Sequence, residues 1–260
     1  MKYGVSVTDT SKVKKIEKSG LQLLEKLVQF SKALNEVASF QSPRGIIFHD
    51  LASATQLYST LPLPAYTSRD LIHITPLVET WKDIYISTTN GVEVAKTYYT
   101  TLDMEDVAVI AAHELTHHVD FFHSDFEELD EENMWFEEGL CFYIPRKFIL
   151  SEEKFNSIMN VESCLINKFK EKYGEYTLNL FGESAGHSEE LEYSSAFYDY
   201  WRSTAVVDLL IRNYCNGSVQ TLIDIYKEWA GSSKESNLQT YFVDKLHISN
   251  EDAKNLWLAY

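Results

Sequence analysis

The chain has 260 residues, 45% hydrophobic and 24% charged, with a formal net charge of -16 and a pI near 4.9. That length buries a sizeable core without disulfides. So acidic a surface repels phosphate backbones and anionic lipid, which argues against nucleic acid and membrane as partners. Three scattered cysteines, Cys141, Cys164 and Cys215, form neither a disulfide framework nor a cysteine-rich zinc module. The polar, lysine-rich Met1 to Gly20 stretch lacks the apolar run of a signal peptide, so the expected location is cytoplasmic.

From Ser11 to Phe40, apolar residues recur at helical spacing (Val13, Ile16, Leu23, Leu24, Leu27, Phe30, Leu34, Val37). This predicts one or two amphipathic helices, with Ser19-Gly20 as the point of any break. Gln41 to Gly45 is turn material, and Ile46 to His49 is a short β-like run. The segment to Thr101 mixes Pro62, Pro64, Pro76 and Gly91 with β-branched clusters. Within it Leu71–Ile74, Asp83–Ser87 and Val92–Tyr99 read as strands.

Beyond Asp103 the pattern is helical. Asp103 caps a helix running through Ala111 to about Phe122, and a second spans roughly Glu132 to Ile144, stopped by Pro145. A third runs from about Leu191 to Tyr214, closed by Asn216-Gly217, with shorter helices after it. The acidic stretch Glu127 to Glu132 reads as a solvated connection. The expected fold is α+β: an N-terminal helical segment 1–45, a strand-rich mixed lobe 46–102 and a helical lobe 103–260.

The chemistry concentrates in His113-Glu114-Leu115-Thr116-His117. Histidines four apart share one face of a helix, within reach of one ion. Glu114 lies beside that ion, where its carboxylate could deprotonate a water molecule. The preceding Val107 to Ala112 run is apolar all round, so the helix is buried, and polar residues on a buried helix need a reason. Chance alone yields this pattern in such a chain on the order of a few per cent of the time. A mutual hydrogen-bonding pair is the competing account.

A third protein ligand is required. His123, six residues after His117, stands at the metzincin interval, but that family needs Gly three residues after the second histidine and this chain has Asp120. The other candidate lies in Trp135-Phe136-Glu137-Glu138-Gly139-Leu140-Cys141-Phe142-Tyr143. Here the chain resembles the gluzincin metallopeptidases, in which H-E-x-x-H is followed some twenty residues later by W-L-x-E-G-x-A-x-Y. Trp135, Glu138, Gly139 and Tyr143 match that pattern. The resemblance covers about Asp103 to Trp229. It implies Glu138 as third ligand with His113 and His117, zinc as cofactor, Glu114 as general base, a peptide or protein substrate, and a thermolysin-like fold with the site where two lobes meet. His118 reads as a supporting or surface group, Glu137 as a solvated neighbour or a partner orienting a histidine, and Cys141 as a packed thiol. Peptide deformylases carry E-G-C-L-S before H-E-x-x-H, whereas Glu138-Gly139 follows it here.

In aminopeptidase-like gluzincins a later Tyr donates to the developing oxyanion, within Y-x-x-G-x-A. The similar stretch Tyr200-Trp201-Arg202-Ser203-Thr204-Ala205 has Ser203 in place of Gly and implies Tyr200 for that role, with Tyr198 and Tyr193 behind it. His187 is a further donor candidate, although a loop histidine is the plainer reading. Gly91-Val92-Glu93-Val94 lacks the Met and Asn of the G-x-M-E-N motif, so Glu93 is a weak amino-group anchor and the resemblance does not extend to aminopeptidase activity in particular. A zinc-containing binding protein without catalysis is the alternative from another class. The intact Glu114 speaks against it, because a purely structural site has no use for that carboxylate.

Overall fold

In the computed structural model, which describes residues 1–58, 63–68, 70–122, 132–186, 192–232 and 236–259, the chain is α+β. Two units can be distinguished: Met1–Asp120 with Ile144–Cys164, and Phe121–Tyr143 with Leu165–Tyr260.

The first unit is built on strand β1 (Lys2–Ser6), helix α1 (Val13–Val37), β2 (Gly45–His49), α2 (Leu51–Gln56), β3 (Ala65–Ser68), β4 (Leu71–Ile74), α3 (Val78–Ser87), α4 (Glu93–Thr100) and α5 (Met104–Thr116). Its sheet has the order β1-β2-β4-β3, parallel except for β3, which pairs antiparallel at one edge. Ile46, Phe48, Ile72 and Ile74 are buried, and α1 packs against β1, β2 and α5. Along α1 the residues Ile16, Gly20, Leu23, Leu27, Phe30 and Leu34 form one buried stripe. The helix is unbroken at Ser19-Gly20. Gly20 is the point of close approach, since a β-carbon there would collide with the Phe48 ring. The strand positions alternating with those isoleucines carry His49 and His73, with His49 Nε2 2.9 Å from His73 Nδ1 and His49 Nδ1 3.0 Å from Ser53 Oγ.

Several expectations are corrected. Asp83–Ser87 and Val92–Tyr99 are not strands but lie in α3 and α4. The isoleucines at 84 and 86 favour strand locally, but burial follows the helical period: Trp81 and Ile84 in α3, Ala95 and Tyr99 in α4. A polar strand, β1, precedes α1, and its order derives from pairing with β2. α5 stops at Thr116 rather than Phe122, because the chain after it is drawn to the segment following α1. Gln41 N–H donates to the His118 carbonyl, Asp120 N–H donates to the Ser39 carbonyl, and Phe40 bridges Val119.

Helices α6 (Met134–Ile149) and α7 (Glu152–Tyr173) follow. Pro145 does not stop α6 but lies inside it. Proline has no N–H to give and crowds the preceding turn. The following turn is nonetheless anchored, because the Arg146 guanidinium donates bidentately to buried Glu162, at 2.7 and 2.6 Å. The second unit continues with α8 (Glu183–Gly186), α9 (Tyr193–Tyr214), α10 (Val219–Ala230), α11 (Leu238–Leu246) and α12 (Asn250–Leu256). Its core is aromatic: Trp135, Phe136, Tyr226, Phe242 and Trp257 meet ring to ring. Asn216 and Gly217 take left-handed backbone and close α9, Gly217 N–H bonding the Ile211 carbonyl. Among the described residues no helix is long and apolar enough to cross a membrane.

Candidate metal centre

Helix α5 begins with a capping box, Asp103 accepting from the first-turn backbone and Asp106 bonding back to the Asp103 N–H at 2.8 Å. Lys154 adds ion pairs to Asp103 and Asp106, at 2.9 and 2.8 Å. Every residue from Val107 to Thr116 is buried, so the helix end that carries the motif has little freedom. The His113 and His117 rings meet edge to face, with their Nε2 atoms 3.1 Å apart.

One group of His, Cys, Asp or Glu side chains among the described residues could hold a metal ion: His113, His117 and Glu138. One ligand atom of each lies within 4.8 Å of the others. Two nitrogens at about 2.0–2.1 Å from one ion in tetrahedral geometry stand a little over 3 Å apart, so the observed Nε2 spacing suits a shared ion. Two imidazoles and one carboxylate form a three-donor set of the kind that leaves a zinc position open.

Within its own helix, Glu138 is positioned by its neighbours. At Gly139 a β-carbon would lie 2.7 Å from Val207 Cγ2 and 2.8 Å from the Ser203 carbonyl oxygen, so α6 lies directly on α9 there. Glu137, also buried, accepts a 2.6 Å hydrogen bond from the Tyr226 hydroxyl. It is therefore no solvated neighbour. Cys141 is buried, outside any disulfide and outside the three-donor group.

Glu114 is only 7% exposed. Its Oε2 accepts a 2.8 Å hydrogen bond from Thr67 Oγ1 on β3, a contact with no signal in the sequence, where 65–68 showed no strand pattern. His118 is buried rather than on the surface, and burial, with His117 beside it, pushes its pKa down to about 4.

No protein-family model matches the chain, and no curated protein or solved structure matches it either.

Of the tyrosines singled out, Tyr200 is half-buried on α9, its ring 5.6 Å from Phe142 and 5.2 Å from Phe181. Phe142 stands one turn beyond Glu138. Tyr198 is fully buried, and its hydroxyl donates to the Gly174 carbonyl at 3.1 Å. Tyr193 stacks on Phe197. Glu93 is an exposed residue in the first turn of α4, not a strand residue. His123 and His187 lie outside the described residues, as does most of the acidic stretch from Glu127.

Proposed function

We propose that the protein is a zinc-dependent metallopeptidase of gluzincin type. The observation that carries this reading is the convergence of His113, His117 and Glu138 to within 4.8 Å, beside a buried carboxylate, Glu114, that is not one of the three. A structural metal site would use such a neighbour for nothing, whereas hydrolysis requires a base in that place.

His113, His117 and Glu138 would hold the ion through two imidazole nitrogens and a carboxylate oxygen. When bound, zinc would polarise the substrate carbonyl and acidify water. Glu114 takes the proton from the attacking water and hands it to the departing amine, so one carboxylate serves as base and then as acid. Burial keeps bulk water from competing for that proton. The Tyr200 hydroxyl donates to the oxyanion as charge builds on the carbonyl oxygen. Its support is the ring contact with Phe142, one helical turn past Glu138 on the same helix. The substrate is a peptide or protein.

The experiment is zinc stoichiometry by elemental mass spectrometry on wild type, Glu138→Ala, His123→Ala and Glu114→Gln, with cleavage of a peptide mixture followed in parallel. About one zinc per chain in wild type and Glu114→Gln, lost in Glu138→Ala and kept in His123→Ala, supports the ligand set. Cleavage by wild type and not by Glu114→Gln supports the hydrolase. Zinc without cleavage in wild type would point to a binding protein, and no metal uptake on reconstitution would end the proposal.

A further inference from the structure

Strand β3 places Thr67 against the end of α5. Its Oγ1 donates to Glu114 Oε2 at 2.8 Å and lies 3.3 Å from the Glu114 carbonyl oxygen. The His118 N–H, one turn on, bonds the Leu115 carbonyl instead, as the helix ends there. Antiparallel pairing with β4, Thr67 opposite Ile72, fixes the strand and so the direction of the hydroxyl.

A carboxylate that serves as base and then as acid must keep one oxygen aimed at the reacting atoms. It must also stay off the ion that its neighbour His113 would hold. A lone Glu side chain turns freely about three bonds, and burial restricts it without choosing a direction. A hydroxyl bonded to one oxygen does choose. It leaves Oε1 as the oxygen that exchanges the proton.

We infer that Thr67 is a positioning residue for Glu114, holding one carboxylate oxygen so that the other is directed at the substrate. The inference rests on the peptidase reading above. The competing account is that Thr67 only covers the end of α5. The two differ in consequence, because a covering role moves stability and zinc content but leaves the balance between turnover and binding alone.

The test compares zinc-loaded full-length wild type, Thr67→Val, Thr67→Ser and Glu114→Gln. Valine keeps the shape and removes the donor, while serine keeps the donor. Four quantities are read: zinc content, kcat and KM on the best-cleaved member of a peptide mixture, and affinity for acetohydroxamic acid by calorimetry. Hydroxamic acids lose a proton on binding such sites, and Glu114 is the group placed to take it. Thr67→Val should keep its zinc, lose roughly ten- to a hundredfold in kcat with KM little changed, and bind the hydroxamate more weakly. Thr67→Ser should recover most of both. Thr67→Val equal to an active wild type in kcat and hydroxamate affinity removes the role of Thr67 and leaves the peptidase reading standing. Loss of zinc and activity together in both Thr67→Val and Thr67→Ser assigns Thr67 to the fold and overturns the inference. A wild type that holds zinc but neither cleaves peptides nor binds the hydroxamate ends the peptidase reading, and the inference with it.

Discussion

Gly139 and Ser203 touch backbone to backbone: a β-carbon on the glycine would stand 2.8 Å from the serine carbonyl oxygen and 2.7 Å from Val207. The contact sets where Glu138, the preceding residue, begins its reach. Gly139→Ala must therefore push α6 off α9 or strain both. A stability loss of about 1–3 kcal/mol is expected by urea denaturation and, on the proposed zinc site, weaker zinc retention than in an alanine variant elsewhere on α6. A variant as stable as wild type would show that the helices separate without cost.

Tyrosines offer a sharper contrast. Tyr200→Phe removes the hydroxyl proposed for the oxyanion and, on that proposal, should cost roughly a hundredfold or more in kcat, with zinc content and stability nearly unchanged. Tyr198→Phe instead removes the bond to the Gly174 carbonyl and should cost about 1 kcal/mol of stability and no turnover. Steady-state kinetics and thermal melts on the pair separate the roles. The reverse pattern would move the oxyanion donor away from Tyr200.

Arg146 and Glu162 form a buried ion pair, with side chains 6% and 2% exposed. Removing one charge leaves the other in a poor medium, so Arg146→Met or Glu162→Gln alone should cost about 3–5 kcal/mol. Arg146→Met with Glu162→Leu should recover much of that loss, and a double-mutant cycle by chemical denaturation measures the difference. Equal, additive losses would mean that the two charges are solvated independently.

His49 is buried against His73, and burial first, then the neighbouring imidazole, depresses its pKa to about 4, with Asp50 opposing. The folded protein thus holds His49 neutral while the unfolded chain titrates near 6.5. Stability from this group is intact above pH 6.5 and falls as pH drops toward 4, by up to about 3 kcal/mol. Urea midpoints between pH 7 and 4.5 should show the decline, and His49→Gln should reduce its slope. An unchanged slope would mean that His49 is charged in the folded state.

Much of this architecture was legible in sequence. The His113 to His117 motif, its apolar approach from Val107 and the Asp103 cap are local features, and the helix starts at that cap, although it ends at Thr116, short of the expected Phe122. Strands β2 and β4 were equally plain, as short β-branched runs between turn signals. α3 and α4 were not, because five- to eight-residue windows rich in isoleucine, valine and tyrosine carry strand propensity whichever period burial selects. Pro145 misled for a related reason: its local cost is real, but α6 continues through it, and the next residue, Arg146, is held by Glu162 on the following helix.

By itself, then, the sequence determined which residues could do chemistry, since H-E-x-x-H needs only helical geometry to bring two imidazoles to one face. It determined too that this helix must be buried. Only the tertiary structure decided what meets the carboxylate of the motif: Thr67, from a strand unseen in the sequence, bonding to Glu114. The physical reason is reach. Periodicity constrains neighbours within a turn or two, whereas the Thr67–Glu114 contact, 47 residues apart in sequence, depends on chain folding that no local pattern encodes.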